Sequence, residues 1–201
     1  MFCNLLVFRE SVYFFHIFVG GSSFFKVFIP FWLSGKIRAF SYNKMDLLSV
    51  MDGRMKVKVS SVLNRSSDFQ AKHMFTDDDL CWNSSGAEPG EESTGQWLLL
   101  EFLGDNYVDI KEIHIQFQGG FVGTEGIVQC GLKKGDMKQA CVLDHIKSID
   151  DSNDLQIWKI PNECNDIMHN TKFLRIFFPA STDFFGRVTI YRLMVFGTSH
   201  S

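Results

Sequence analysis

Two short apolar runs near the C-terminus constrain the fold more than any other feature of the sequence. Phe173–Phe178 and residues 188–196 are rich in β-branched and aromatic residues, and each run is too short for a typical helix. A polar corner, residues 179–187, separates the two runs and contains a proline and a glycine, which favour a change of chain direction. The pattern predicts two buried strands joined by a loop, with the rest of the domain packed around them.

Upstream of this pair the sequence predicts further short strands and no long amphipathic helix. Residues 112–118 place Ile113, Ile115 and Phe117 on one face and polar residues on the other, which is typical of a half-buried strand. The polar residues 76–95 predict a loop. The other predicted strands cover residues 57–63, Gln96–Phe102, 126–132, 140–143 and 155–160. Seven or eight short strands favour an all-β fold, an antiparallel β-sandwich of the jelly-roll type.

The first fifty residues differ in composition from the rest of the chain. Ten of the 21 phenylalanines lie there, but histidine, lysine and proline interrupt the apolar run, which lacks the roughly 18 residues of a membrane span. Three interpretations stay open: translation upstream of a true start at Met45, Met51 or Met55, a secretory or anchoring segment, and a poorly ordered extension. We therefore expect a non-domain extension over residues 1–50 and one folded domain over residues 55–198.

The charge balance excludes several kinds of partner. From residue 51 onward the chain has 15 Lys and Arg residues and 21 Asp and Glu residues, a net charge of −6. Residues 76–112 contain ten carboxylates and a single basic residue, Lys111. Because this segment would repel a phosphate backbone or an anionic membrane, we expect neither as a direct partner.

Cysteine usage and the lack of a catalytic signature argue against an enzyme. The five cysteines form no C-x-x-C pair, which fits a reduced intracellular protein without structural zinc. Cys141 with His145, and Cys164 with His169, have the spacing of thiol–imidazole pairs, but no third orienting group can be identified for either. We expect no enzyme activity and no cofactor.

Four blocks of sequence carry a resemblance to a known family. They are residues 60–65 (SSVLNR), 81–84 (CWNS), 115–121 (IQFQGGF) and 182–188 (TDFFGRV). Their order, with Gln96-Trp97 before an apolar strand, resembles a discoidin (coagulation-factor C-type, galactose-binding-like) domain. More narrowly, the blocks look like the nuclear receptor 2C2-associated protein family, small intracellular associates of the testicular orphan nuclear receptor. That resemblance implies a nuclear and cytoplasmic protein that represses transcription by hindering the receptor's binding to its DNA element.

The resemblance also raises the question of calcium. Calcium-binding discoidin relatives place acidic residues in the loop before the tryptophan and a glutamate in the last strand. Asp77 and Asp79 match the first requirement, but residues 193–197 contain no carboxylate. Because Ca²⁺ takes six or more oxygen ligands, a solvated acidic turn is favoured over a metal site.

Loops at the ends of a jelly roll are the expected contact surface. Aromatic side chains and one arginine on such loops suit a protein interface. The predicted contact residues are Trp82, Phe121, Asp183, Phe184, Phe185 and Arg187. In the alternative, the tryptophan and the phenylalanine pair fold inward, and Asp183 pairs with Arg187 or Arg175. A second function also stays open, a lectin-like module for a glycan or small polar ligand, which would favour exposed Trp or Tyr platforms.

Overall fold

β-Strands dominate the described part of the chain. The computed structural model describes residues 14–19, 22–27, 46–48 and 55–200, except residues 77, 89, 105 and 106. Its strands are β1 (Phe14–Val19), β2 (Ser22–Val27), β3 (Asp46–Leu48), β4 (Met55–Val59), β5 (Trp82–Asn83), β6 (Gln96–Phe102), β7 (Tyr107–Phe117), β8 (Ile127–Gly131), β9 (Lys138–Val142), β10 (Leu155–Lys159), β11 (Phe173–Phe178) and β12 (Thr189–His200). Its helices are α1 (Leu143–Ile146), α2 (Asn165–Met168) and short 3-10 turns at Leu63–Arg65, Ser67–Phe69, Ala71–Phe75 and Asn162–Cys164. None of these described helices has the length and apolar character needed to cross a membrane.

The chain divides into two compact units, Met1–Asn43 and Lys44–Ser201. In the first unit, β1 and β2 pair antiparallel. In the second unit, β3 pairs with β12, with Leu48 opposite Val195. β3 thus precedes the expected domain boundary at residue 55 and is paired within the second unit.

The second unit is a sandwich of two five-stranded sheets. The first sheet has the order β4-β6-β11-β8-β9, and the second has the order β10-β7-β12-β3, with β5 also paired to β12. All of these pairings are antiparallel, which confirms the all-β sandwich predicted from the sequence. β11 and β12 lie in different sheets, so the corner (residues 179–187) carries the chain from the first sheet to the second.

Alternating apolar residues build the core between the sheets. On β7, Ile113, Ile115 and Phe117 are fully buried, as the alternation predicts. The ring of Phe117 meets that of Phe178 on β11 edge to face, with centroids 5.7 Å apart. Burial of such a side chain contributes about 1.5–3 kcal/mol, so this shared core holds the two sheets, and with them both ends of the corner, in place.

Candidate interaction surface

Hydrogen bonds tie both ends of the corner to neighbouring loops. The Ser84 N–H donates to the Val188 carbonyl at 3.0 Å, and the Val188 N–H donates to Ser84 Oγ at 2.8 Å. At the other end, the Thr182 N–H donates to the Val122 carbonyl at 2.9 Å, and Thr182 Oγ1 accepts the Val122 N–H at 3.1 Å. Each end of the corner is thus held by a segment distant in the sequence.

The carboxylate of Asp183 organises the inside of the corner. Its Oδ2 accepts the backbone N–H of Phe185 at 3.0 Å and that of Arg187 at 3.1 Å. The Arg187 guanidinium donates to both carboxylate oxygens, from Nε at 3.0 Å and from NH2 at 2.9 Å. A bidentate pair of this kind is among the stronger polar contacts in proteins. Asp183 and Arg187 therefore form a clamp across the corner. Of the two arginines considered in the sequence analysis, Arg187 and not Arg175 pairs with Asp183.

The electrostatics of this clamp follow from its geometry. Burial alone would raise the pKa of Asp183, but hydrogen bonds from Arg187 and from the backbone amides outweigh it and hold the pKa below the ordinary value of 3.8. The same pairing raises the pKa of Arg187 above its ordinary value. Both groups are therefore charged at neutral pH.

Gly186 closes the corner in a conformation that other residues rarely adopt. Its φ is +74°, and its N–H donates to the Asp183 carbonyl at 3.0 Å. A Cβ at this position would overlap Ser93 Oγ and lie 2.6 Å from Ser93 Cβ. The tight turn beside the clamp therefore requires glycine for both backbone and space.

The clamp presents aromatic side chains outside the core. Phe184 is 94% exposed, and Phe185 is 42% exposed and meets it edge to face at 5.2 Å between centroids. The Arg187 guanidinium carbon lies 4.8 Å from the ring centroid of the half-buried Phe121, within cation–π range. The structure thus brings five of the six predicted contact residues together.

Trp82 is the exception, and its position corrects the prediction that its side chain belongs to the contact surface. The residue is fully buried, and its indole N–H donates to the Ser61 carbonyl at 2.9 Å. Ser61 Oγ also bonds Gln96 Oε1 at 3.0 Å, and Gln96 Nε2 donates to the Ser85 carbonyl at 2.9 Å. Ser61, Trp82 and Gln96, which belong to the sequence blocks that carry the family resemblance, therefore form a hydrogen-bonded network behind the corner.

A shallow cleft beside the corner contains residues that the sequence analysis missed. It has a volume of about 260 Å³ and is lined by Leu63, Asn64, Ser85, Gly86, Ala87, Glu88, Phe185 and Arg187. Asn64 has a φ of +53°. Its position in the SSVLNR block was the only feature of the sequence that could have pointed to this cleft. The Ala87 N–H donates to the Phe185 carbonyl at 2.8 Å, which joins the acidic loop (residues 76–95) directly to the corner.

The remaining candidates are the two aspartates considered for calcium and the Cys141–His145 pair. Asp77 lies outside the described residues, and Asp79 is exposed and joins no described cluster of three metal-ligating side chains. Burial raises the pKa of the Cys141 thiol to about 12, and its neighbours Cys164 and Cys130 add to the effect. His145 is exposed on α1.

Solved structures with the same fold are carbohydrate-binding modules. CpGH89CBM32-5 from Clostridium perfringens, in complex with GalNAc-β-1,3-galactose, aligns with a TM-score of 0.54 and 17% identity over 75% of this chain and 99% of its own. The family 32 module from C. perfringens NanJ, in complex with galactose, aligns with a TM-score of 0.53 and 11% identity over the same shares. The chain thus has the galactose-binding-like, discoidin-type jelly-roll fold.

Sequence relatives define the family within this class. No protein-family model matches the chain. The nuclear receptor 2C2-associated proteins of Bos taurus and Homo sapiens are each 37% identical to it over 142 residues, and that of Danio rerio is 37% identical over 144 residues. Each alignment covers 70% of this chain and 89% of the relative. The chain belongs to the nuclear receptor 2C2-associated protein family.

Proposed function

We propose that the chain is a non-enzymatic interaction module that binds an orphan nuclear receptor, in the nucleus and the cytoplasm. We further propose that it represses the receptor by hindering its binding to the DNA response element. The observation that carries the proposal is Phe184, 94% exposed on a corner held rigid by the Asp183–Arg187 clamp. The names of the family's curated relatives supply the receptor as the partner.

The corner has the physical properties of an interface anchor. A large apolar side chain in water gains free energy when a partner covers it, by about 25 cal/mol per Å². The clamp orders the backbone before binding, so less conformational entropy is lost in the complex. Arg187 and the adjacent Phe121 and Phe185 belong to residue types that are enriched at binding hot spots or interfaces.

The acidic loop beside the corner supports competition with DNA. Residues 76–95 contain six carboxylates and no basic residue, Glu88 lines the cleft with Phe185, and Ala87 is bonded to the corner. A surface that reads DNA is basic because it must face phosphates. An acidic flank next to an apolar anchor is complementary to such a surface, so occupation of the corner would block DNA.

An enzyme with a cysteine nucleophile and a lectin-like module both have less physical support. A thiol with a pKa of about 12, as at Cys141, is protonated at neutral pH and is a poor nucleophile. Among the described residues, Trp82 and Trp158 are fully buried, and Trp97 lies 5.4 Å from the guanidinium carbon of Arg175. None of the described tryptophans is an exposed platform for a sugar, whereas Tyr107 is 40% exposed with Lys172 Nζ 5.6 Å from its ring centroid. The likeness to carbohydrate-binding modules is one of fold.

Binding measurements with matched variants test the proposal. The purified receptor is titrated with the chain, and the receptor's hold on a fluorescent response element is followed by anisotropy. We expect the wild type to release the DNA and the double variant Phe184→Ala/Phe121→Ala to release none, with little fall in melting temperature. The control is Leu132→Ala, because Leu132 is 57% exposed and lies outside the corner.

Two outcomes would contradict the proposal. If the double variant releases the DNA as efficiently as the wild type, the corner is not the surface that binds the receptor. If the double variant unfolds, the same DNA-release measurement is made with the single variant Phe184→Ala, because this side chain is almost fully exposed and its loss leaves the core intact. We also expect binding to weaken steeply with added salt, and a salt-insensitive complex would rule out the acidic flank.

A further inference from the structure

Three metal-ligating side chains meet at the far end of β12 from the corner. They are Asp109 on β7, His169 just after α2, and His200 at the end of β12. One ligand atom from each lies within 4.8 Å of the other two, and no other such group of three occurs among the described residues. Since β12 has 12 residues, this cluster lies roughly 35 Å from the corner along the strand.

The fold positions these side chains from three distant segments. Residues 198 and 109 pair across β12 and β7, which places His200 at the same end of these two strands as Asp109. Thr171 exchanges both backbone hydrogen bonds with Val108, at 2.8 and 3.1 Å, and this bridge holds the segment that contains His169 next to β7. The cluster is therefore built on ladder hydrogen bonds.

The three ligand atoms lie near one another and need a small rearrangement to reach the separations of a coordination sphere. Asp109 Oδ1 lies 2.5 Å from His169 Nδ1 and 3.7 Å from His200 Nε2. Ligands at about 2.0 Å from a tetrahedral ion are separated by about 3.3 Å. The His169 side chain is 55% exposed, so a small rotation can bring its nitrogen to that separation. The two imidazole rings already stack, with centroids 5.5 Å apart.

Asn170 supports the cluster from one side. Its backbone N–H donates to Asp109 Oδ1 at 3.0 Å, which orients the carboxylate. Its side-chain Oδ1 accepts a hydrogen bond from His200 Nε2 at 2.6 Å. A metal ion at Nε2 would take the place of that proton and leave Asn170 Oδ1 as a fourth oxygen beside the three ligand atoms. The bond from the Asn170 N–H to Asp109 is of the type that fixes a ligating carboxylate around a metal ion.

We propose that Asp109, His169 and His200 bind a divalent transition-metal ion of the Zn²⁺ class. Two imidazoles and one carboxylate are the mixed nitrogen and oxygen donors that Zn²⁺ accepts, with water or Asn170 in a fourth position. Ca²⁺ and Mg²⁺ take oxygen ligands and do not suit this set. The ion would tie the end of β12 to the segment after α2 and stabilise the domain at the end opposite the corner.

Calorimetric titration of Zn²⁺ into the untagged, chelator-treated chain tests this site. We expect one-to-one binding, a higher melting temperature with Zn²⁺, and no heat from Ca²⁺. His169→Gln and His200→Gln should each weaken Zn²⁺ binding by about tenfold or more. The control His145→Gln alters an exposed histidine on α1 outside the cluster and should leave the affinity unchanged.

Two further measurements distinguish this site from the buried cysteines and do not depend on the variants folding. Co²⁺ bound to the wild type should show d–d absorption without a thiolate-to-cobalt charge-transfer band, and such a band would overturn the proposal. Added Zn²⁺ should shift the imidazole NMR signals of His169 and His200 and leave those of His145 in place. Unmoved signals at saturating Zn²⁺, or affinity unchanged in both ligand variants, would also overturn it.

Discussion

Trp82 and Phe184 are both aromatic residues in loop-rich segments that meet through the Ser84–Val188 hydrogen bonds, yet they face opposite ways. Trp82 is fully buried and its indole N–H reaches the Ser61 carbonyl, whereas Phe184 is 94% exposed. Trp82 pairs with the buried Ile190 on β12, and because paired residues share a face of the sheet, its side chain is directed into the core. Phe184 lies between Asp183 and the amides that Asp183 binds, so the turn itself keeps the ring outside. Hydrogen bonding of the backbone, more than the type of side chain, decides which of the two aromatic residues is exposed.

The largest expected effect is that of removing the buried member of this comparison. Trp82→Ala leaves a cavity behind β12 and an unpaired Ser61 carbonyl, and should lower the free energy of unfolding by about 3–5 kcal/mol. Urea unfolding measures it. A loss below about 1 kcal/mol would show that Trp82 is not a core residue in solution.

Breaking the clamp should have the next largest effect. Asp183→Asn removes the charge that pairs with Arg187 and weakens the acceptor of two backbone amides, which should cost about 1.5–3 kcal/mol. Thermal unfolding across pH provides a second reading. Because the folded pKa of Asp183 lies below 3.8, its contribution is present above that pH and is lost as the pH falls through the folded pKa.

The variant should therefore lose the part of the acid dependence that Asp183 supplies. Asp154→Asn is the matched control, since Asp154 is exposed and outside the corner. Equal acid profiles for Asp183→Asn and the wild type would contradict the role of the clamp.

The turn beside the clamp should respond to a single methyl group. Gly186→Ala forces a left-handed backbone on alanine and an overlap with Ser93, and should cost about 1–3 kcal/mol. Gly135→Ala is the control, because a Cβ there meets nothing within 4 Å. The comparison is made by differential scanning fluorimetry, and equal melting temperatures would argue that the turn is not strained by a side chain.

The smallest expected effect on stability is that of the exposed member. Phe184→Ala should change the free energy of unfolding by no more than about 0.5 kcal/mol, because the ring contacts little beyond Phe185. Chemical denaturation measures it beside Trp82→Ala. A loss above about 2 kcal/mol would place Phe184 in the core and end the contrast between the two aromatic residues.

Local patterning predicted much of the sandwich. Gln96–Phe102 and Phe173–Phe178 were predicted with the bounds that the structure shows, because their apolar residues and the flanking polar residues lie within a few positions of each other. β3 was missed, and so was the extension of β12 to His200. Both depend on pairing with partners far away in the sequence, and residues 198–200 are too polar to be recognised as a strand.

The corner was also recognisable in the sequence, since Asp183 and Arg187 are four residues apart and a glycine sits between them. Only the tertiary structure decided that Trp82 turns inward and Phe184 outward, because that depends on Ser61, Ser84 and Ile190 from other segments. It also brought Asp109, His169 and His200 together across more than 90 residues. A pattern along the chain records which faces of a strand are apolar. Side chains from distant strands become neighbours through sheet register and loop hydrogen bonds, which no local pattern contains.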